Sequence, residues 1–199
     1  SRGYSLRPSL RIDEIEELVK AVRESSPDSI IMVDNCYGEF VEKKEPCDVG
    51  ADIVAGSLIK NPGGGLAQTG GYIAGKEKYI TQVEGRVTSP SIGGEVGSYA
   101  YGYQYFYQGL FLAPHTVKEC IKGSLLIGMA MTLLGYKTLP VMSKTPCDIT
   151  RSVIFNDEKK LIDFIQSVQE VSPVDSFVTL MPWDMPGYED AVIMAAGCF

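Results

Sequence analysis

Histidine is nearly absent: His115 is the only one in 199 residues. The five cysteines (Cys36, Cys47, Cys120, Cys147, Cys198) are odd in number and widely spaced, with no CxxC pair among them. This scarcity excludes a structural zinc site of ordinary Cys/His spacing, and no metal centre is expected. It also excludes a disulfide framework, so a reduced, cytoplasmic protein is the expectation and His115 reads as structural. Lysine and arginine never form a run of five, and the net charge is −7. A nucleic-acid partner is therefore not expected, because phosphate neutralisation needs a basic face. A small anion needs only one local nest of donors and stays admissible. The longest uncharged apolar run, Gly123 to Tyr136, is about 14 residues against the roughly 18 that a spanning helix requires, so no membrane partner is expected either. No secretory signal heads the chain. No initiator Met is present: the chain opens at Ser1 on a short basic stretch, which reads as a first sign of an internal piece of a longer subunit.

What is present suits a packed fold. Hydrophobic residues make up 45% and charged residues 22%, with seven Phe and eleven Tyr, which excludes a disordered chain. Ile12, Ile15, Leu18, Val19 and Val22 recur at helical spacing and predict a helix over 12–25, stopped by Ser25-Ser26-Pro27-Asp28. Ser29 to Asp34 is a short apolar run of the kind that forms a parallel strand covered on both faces by helices. Asp52 to Ser57 and Gly71 to Gly75 have the same character. Between Thr88 and Pro114 tyrosines alternate at 99, 101, 103, 105 and 107; a strand, a helix and an irregular wall all stay open there. Val117 to Gly135 predicts a helix, apolar nearly all round and hence buried. A strand over 151–155, a helix over 157–171 capped by Asp157, and a last strand over 191–196 complete an α/β pattern.

Three segments carry candidate chemistry. Asp34 ends an apolar strand, where α/β proteins build ligand sites; it can equally cap the following turn. Lys60 follows the second strand and precedes Pro62-Gly63-Gly64-Gly65. A lysine held in a partly dry pocket can act as a nucleophile, whereas one in a solvated loop needs no such company. Gly70 to Lys76 fits the first seven positions of a phosphate-binding loop, but Glu77 stands where the metal-binding Ser or Thr belongs, and the apolar residues make the segment a strand. Asp34 and Lys60 together bring a carboxylate and an amine to one rim. Pyridoxal 5'-phosphate requires that pair: the amine forms its imine and the acid keeps its pyridine nitrogen protonated. Ser57, three residues before the lysine, is placed to donate to its phosphate.

These residues resemble the fold-type-I pyridoxal-phosphate enzymes of cysteine and methionine metabolism. Within them the chain is most similar to the methionine gamma-lyase-like group, labelled aluminium resistance proteins or cystathionine beta-lyases. The segments carrying the resemblance are 1–10 (SRGYSLRPSL), 33–40 (VDNCYGEF), 50–65 (GADIVAGSLIKNPGGG), 88–95 (TSPSIGGE) and 185–190 (MPGYED). The match runs end to end, and the lysine block is highly specific.

The resemblance implies an α/β fold with a three-layer, mostly parallel sheet. Residues 1–116 would form the second part of the cofactor-binding large domain. Residues 117–199 would form a connecting helix and the start of a small C-terminal domain. It implies a carbon–sulfur lyase acting on a small sulfur-containing amino acid by β- or γ-elimination, in a homo-oligomer built as a dimer of dimers (a homotetramer). Lys60 matches the Schiff-base lysine, Asp34 the partner of the pyridine nitrogen, and Ser57 a phosphate ligand. Better-known relatives carry a Thr just before the lysine; here Ile59 stands there, so the phosphate cup must be completed differently. Tyr37 is a candidate to stack near the cofactor ring. Arg2, Tyr4 and Arg7 are candidates to reach the substrate carboxylate. A non-catalytic fragment, or another fold-type-I activity such as an aminotransferase, stays open as an alternative.

Overall fold

The structure, a computed structural model, describes residues 5–89 and 91–195. Helix α1 spans Ile12–Ser25, as its periodicity predicts, and Glu14 begins it by reaching back to accept the Arg11 backbone N–H at 2.8 Å. Strands β1 (Met32–Asp34), β2 (Ile53–Ser57) and β3 (Gly71–Gly75) form one sheet in that order. β1 and β2 are parallel, with Asp34 opposite Ala55, but β2 and β3 are antiparallel, so the sheet is small and mixed. Helix α2 (Glu77–Val87) follows β3 directly. Helix α3 runs over Gln104–Leu133 and passes through Pro114. Strands β4 (Lys137–Leu139) and β5 (Ser152–Ile154) pair antiparallel, and α4 covers Glu158–Glu170. Asp157 caps α4 by accepting the Lys160 backbone N–H at 3.0 Å.

The apolar face of α1 drives its packing. Ile15, Val19 and Val49 are buried together, with Ile12, Ile31 and Val33 against them. One buried carboxylate ties the sheet to this helix. Asp52 Oδ2 accepts from Arg23 at 2.5 Å and from the Ile31 backbone N–H at 2.8 Å, while Oδ1 accepts from Lys76 at 2.6 Å. A charge this deep persists because cations and a backbone donor surround it.

Four sequence expectations are corrected here. β1 is not covered on both faces: Val33 packs toward α1, but on the opposite face Met32 is 65% exposed, and Asp34 is exposed as well. α3 starts before Val117 and is not buried all round. Its buried stripe is Gly109, Ala113, Val117, Ser124, Gly128 and Met131, whereas Leu126 is 71% and Leu133 83% exposed. β3 runs antiparallel because the Lys60 loop returns directly along β2, Leu58 N–H donating to Gly70 O at 2.9 Å. No strand forms over 191–195; only the bridge between Trp183 and Val192 is present there. Among the described residues no helix is long and apolar enough to cross a membrane.

Candidate active site

β2 ends at Ser57, and Lys60 stands three residues beyond it, at the head of a 3-10 turn over Asn61–Gly63. The Lys60 backbone N–H donates to Ser57 O at 3.4 Å, and Gly63 N–H donates to Lys60 O at 3.1 Å. Glycine is needed here for close approach. A Cβ on Gly109 of α3 would fall 2.1 Å from Gly63 O, and one on Gly64 would fall 2.2 Å from Gly109 O. Gly64 also takes φ 56°. Thr116 of α3 adds a hydrogen bond to Gly64 O at 3.3 Å. The lysine turn is thus clamped between β2 and α3.

The second component is the turn after β1. Asp34 Oδ1 accepts the Cys36 backbone N–H at 3.0 Å, so Asp34 does cap this turn. The little burial it has pushes its carboxyl up, but the hydrogen bonds from Cys36, with smaller help from nearby positive charge of which Lys60 is one part, outweigh that and hold it below the ordinary range. Burial, with the adjacent Asp34, pushes the Cys36 thiol up, so it is no ready nucleophile. Tyr37 sits at φ 74°, in the left-handed region that bulky residues avoid. That backbone puts its ring beside the lysine: Lys60 Nζ lies 5.2 Å from the ring centroid. Ile149 N–H anchors Tyr37 O at 3.2 Å.

Of the residues singled out from sequence, Lys60 and Tyr37 meet directly, and Asp34 lies within electrostatic reach of Lys60. Ser57 joins them through its backbone, which lies against the Cys36 thiol. Arg2 and Tyr4 lie outside the described residues. Arg7 and Asp34 line a cleft of about 350 Å³ together with apolar residues of α1 and β1 and with Glu42, Cys147 and Asp148. Lys60, Ser57 and Tyr37 are not on its wall, so this cleft is a packing groove beside the site and not the site itself. Lys76, of the apparent phosphate-loop segment, instead pairs with Asp52. His115 is exposed on α3. Among the described residues no group of three His, Cys, Asp or Glu side chains could hold a metal ion.

Sequence reasoning missed Glu39, Asn61 and Tyr72. Glu39 is 3% and Asn61 4% exposed, and Asn61 is the first residue of the lysine turn itself. Tyr72 Oη donates to Glu39 Oε1 at 2.9 Å, and Asn61 Nδ2 donates to Glu39 O at 3.0 Å. The available signal was Gly56: a Cβ there would lie 2.5 Å from Glu39 Oε1 and from the Tyr72 ring. A glycine inside an otherwise apolar strand marks such a close approach.

Comparison with known proteins places this geometry. A family model described as methionine gamma-lyase matches residues 1–199. YnbB of Bacillus subtilis is 52% identical over 199 residues, which are 100% of this chain and 47% of that protein. A 33.9 kDa protein of Lactobacillus delbrueckii subsp. bulgaricus is 49% identical over all of this chain and 65% of its own length. Among solved structures, a putative cystathionine beta-lyase involved in aluminium resistance from Listeria monocytogenes superposes with a TM-score of 0.95 at 50% identity, over 100% of this chain and 49% of that one. A carbon–sulfur lyase involved in aluminium resistance from Clostridium novyi gives 0.90 at 49% identity, over 98% and 46%. The chain spans about half the length of most of these relatives.

Proposed function

This chain belongs to the methionine gamma-lyase family, and on that premise we propose that it is the lysine-bearing part of a pyridoxal-phosphate-dependent carbon–sulfur lyase. Its substrate class is a small sulfur-containing amino acid, cleaved by β- or γ-elimination. The observation that carries this reading is the meeting of Lys60, Tyr37 and an ionised Asp34 at one rim of the sheet.

The donor set fits the cofactor chemically. Lys60 would hold the cofactor's carbonyl carbon through its amine. Asp34, kept ionised by Cys36 and Lys60, would hold a proton on the pyridine nitrogen. The Ser57 hydroxyl would bind phosphate at the end of β2. When bound, the cofactor supplies the electron-accepting ring that these eliminations need. Lys60 would also move the proton at the substrate α-carbon. The Tyr37 ring would stand beside the lysine amine. The three-layer sheet, with residues 1–116 in the large domain and 117–199 opening the small one, belongs to this same reading, as does assembly into a homo-oligomer.

Product analysis with cystathionine, methionine and cysteine tests the proposal. Release of a keto acid together with a free thiol supports the lyase. Transfer of the amino group to an acceptor keto acid contradicts it and favours an aminotransferase.

A further inference from the structure

Among the described residues, two buried oxygens at the lysine turn accept no hydrogen bond from the chain: Glu39 Oε2 and Asn61 Oδ1. Both are acceptors, and their residues are joined, since Asn61 Nδ2 donates to Glu39 O at 3.0 Å. Leaving two such atoms unsatisfied forfeits the hydrogen bonds they would make to water in the unfolded chain. One hydrogen on Glu39 Oε2 changes the account, because a protonated carboxyl is a donor and an amide oxygen is its acceptor. We infer that Glu39 is a positioning residue: in its neutral acid form its proton serves these two buried oxygens, fixing Asn61 and therefore the turn that presents Lys60.

The surroundings agree. On the β3 side Tyr72 donates to Oε1, which leaves Oε2 to carry the proton. On the β2 side Gly56 offers no side chain and no room for one. Glu45, in the loop after β1, faces Glu39 with like charge, and its own oxygens are taken by Asn35 Nδ2 at 2.8 Å and the Phe40 backbone N–H at 2.9 Å. Burial is the largest influence on Glu39, and with Glu45 it pushes the carboxyl up to about 7, against the backbone N–H groups of Glu39 and Tyr37 and the Tyr72 hydroxyl. The acid therefore ionises near neutrality and frees the Asn61 amide when it does. The consequence for Lys60 rests on the lyase reading; the protonation of Glu39 does not.

The test needs no cofactor. In the full chain labelled with 13C-glutamate, the carboxyl signal of Glu39 is followed against pH, and the Asn61 side-chain amide signals are followed alongside it. The signal absent from Glu39→Gln assigns the residue; if that variant does not fold, Tyr72→Phe assigns it by moving the midpoint upward. The expected result is a Glu39 midpoint near 7, with the Asn61 amide shifting at the same midpoint. Glu39→Gln, a neutral mimic, leaves the Asn61 signals flat with pH. An additional readout is the labelling of Lys60 by an amine-reactive reagent relative to Lys118, which rises across the Glu39 midpoint in the native chain and not in Glu39→Gln. A Glu39 midpoint at the ordinary 4.5, or Asn61 signals that ignore it, overturns the inference and leaves the lyase reading standing. Failure to bind pyridoxal phosphate would leave these readouts unchanged.

Discussion

The Lys60 ammonium stands 5.2 Å from the centre of the Tyr37 ring, and the backbone of Tyr37 is strained to put the ring there. A tyrosine at φ 74° costs on the order of 1–3 kcal/mol, which the neighbouring hydrogen bonds must offset. Gly38 N–H donates to Asn35 O at 2.9 Å and Ile149 N–H to Tyr37 O at 3.2 Å, so the turn is fixed on both sides of the residue.

This strain gives a signed prediction. Tyr37→Gly and Tyr37→Ala both remove the ring, but only glycine is relaxed at that φ. Urea denaturation should show the glycine variant more stable than the alanine variant by about 1 kcal/mol. Alanine equal or superior would mean that the backbone is not strained.

Two glycines of α3 predict opposite effects from the same substitution. Gly123 has nothing within 4 Å of an added Cβ, so Gly123→Ala should gain up to about 1 kcal/mol from helix propensity. Gly109→Ala gains the same propensity but drives a methyl to 2.1 Å from Gly63 O. The clash is with backbone and cannot be relieved by a rotamer change. A net loss of about 2–4 kcal/mol is expected in denaturation, together with displacement of the Lys60 turn.

Asp52 anchors the fold. Asp52→Asn leaves Arg23 and Lys76 without their carboxylate and should lower stability by about 2–3 kcal/mol, less than for a fully buried pair because both cations reach solvent. Urea midpoints at fixed pH measure this.

Asp52 and Glu39 also predict the shape of the pH–stability curve. Burial opposes ionisation of Asp52, but the Ile31 N–H, Lys76 and Arg23 outweigh it and hold its carboxyl far below the ordinary value of 3.8. Its stabilisation is therefore present above that value and lost as pH falls below it. Glu39 is raised, so its contribution is complete below 4.5 and is lost as pH rises through about 7. Thermal melting against pH should show both flanks, with Glu39→Gln flattening the neutral flank and Asp52→Asn the acid one. A neutral flank that survives Glu39→Gln would assign it to another group.

Asp34 and Lys60 were legible because each interrupts an apolar strand pattern with a charged residue at a strand or turn end. Helix α1 was legible because its apolar stripe is regular. β3 reads as parallel like its neighbours, but its glycines and short length carry no directional signal, and the tight return at Gly70 makes it antiparallel. α2 escaped notice because Lys78, Gln82, Glu84, Gly85 and Arg86 leave it little apolar face, and none of its residues is buried. The first turns of α3 were hidden by alternating tyrosines, which mimic a strand while the rings of Tyr99, Tyr103 and Phe106 in fact cluster with one another. Glu39 does not stand out in the sequence, because a glycine inside a strand such as Gly56 marks a close approach without naming the residue that makes it.

The central claim is that Lys60 carries pyridoxal phosphate, and it is most directly tested by borohydride trapping. The chain is mixed with the cofactor, reduced, digested and mapped by mass spectrometry. The account predicts a single pyridoxyl adduct on the peptide containing Lys60, lost in Lys60→Ala and weakened in Asp34→Asn. Adducts spread evenly over exposed lysines such as Lys118 and Lys159, with none favouring Lys60, would contradict it.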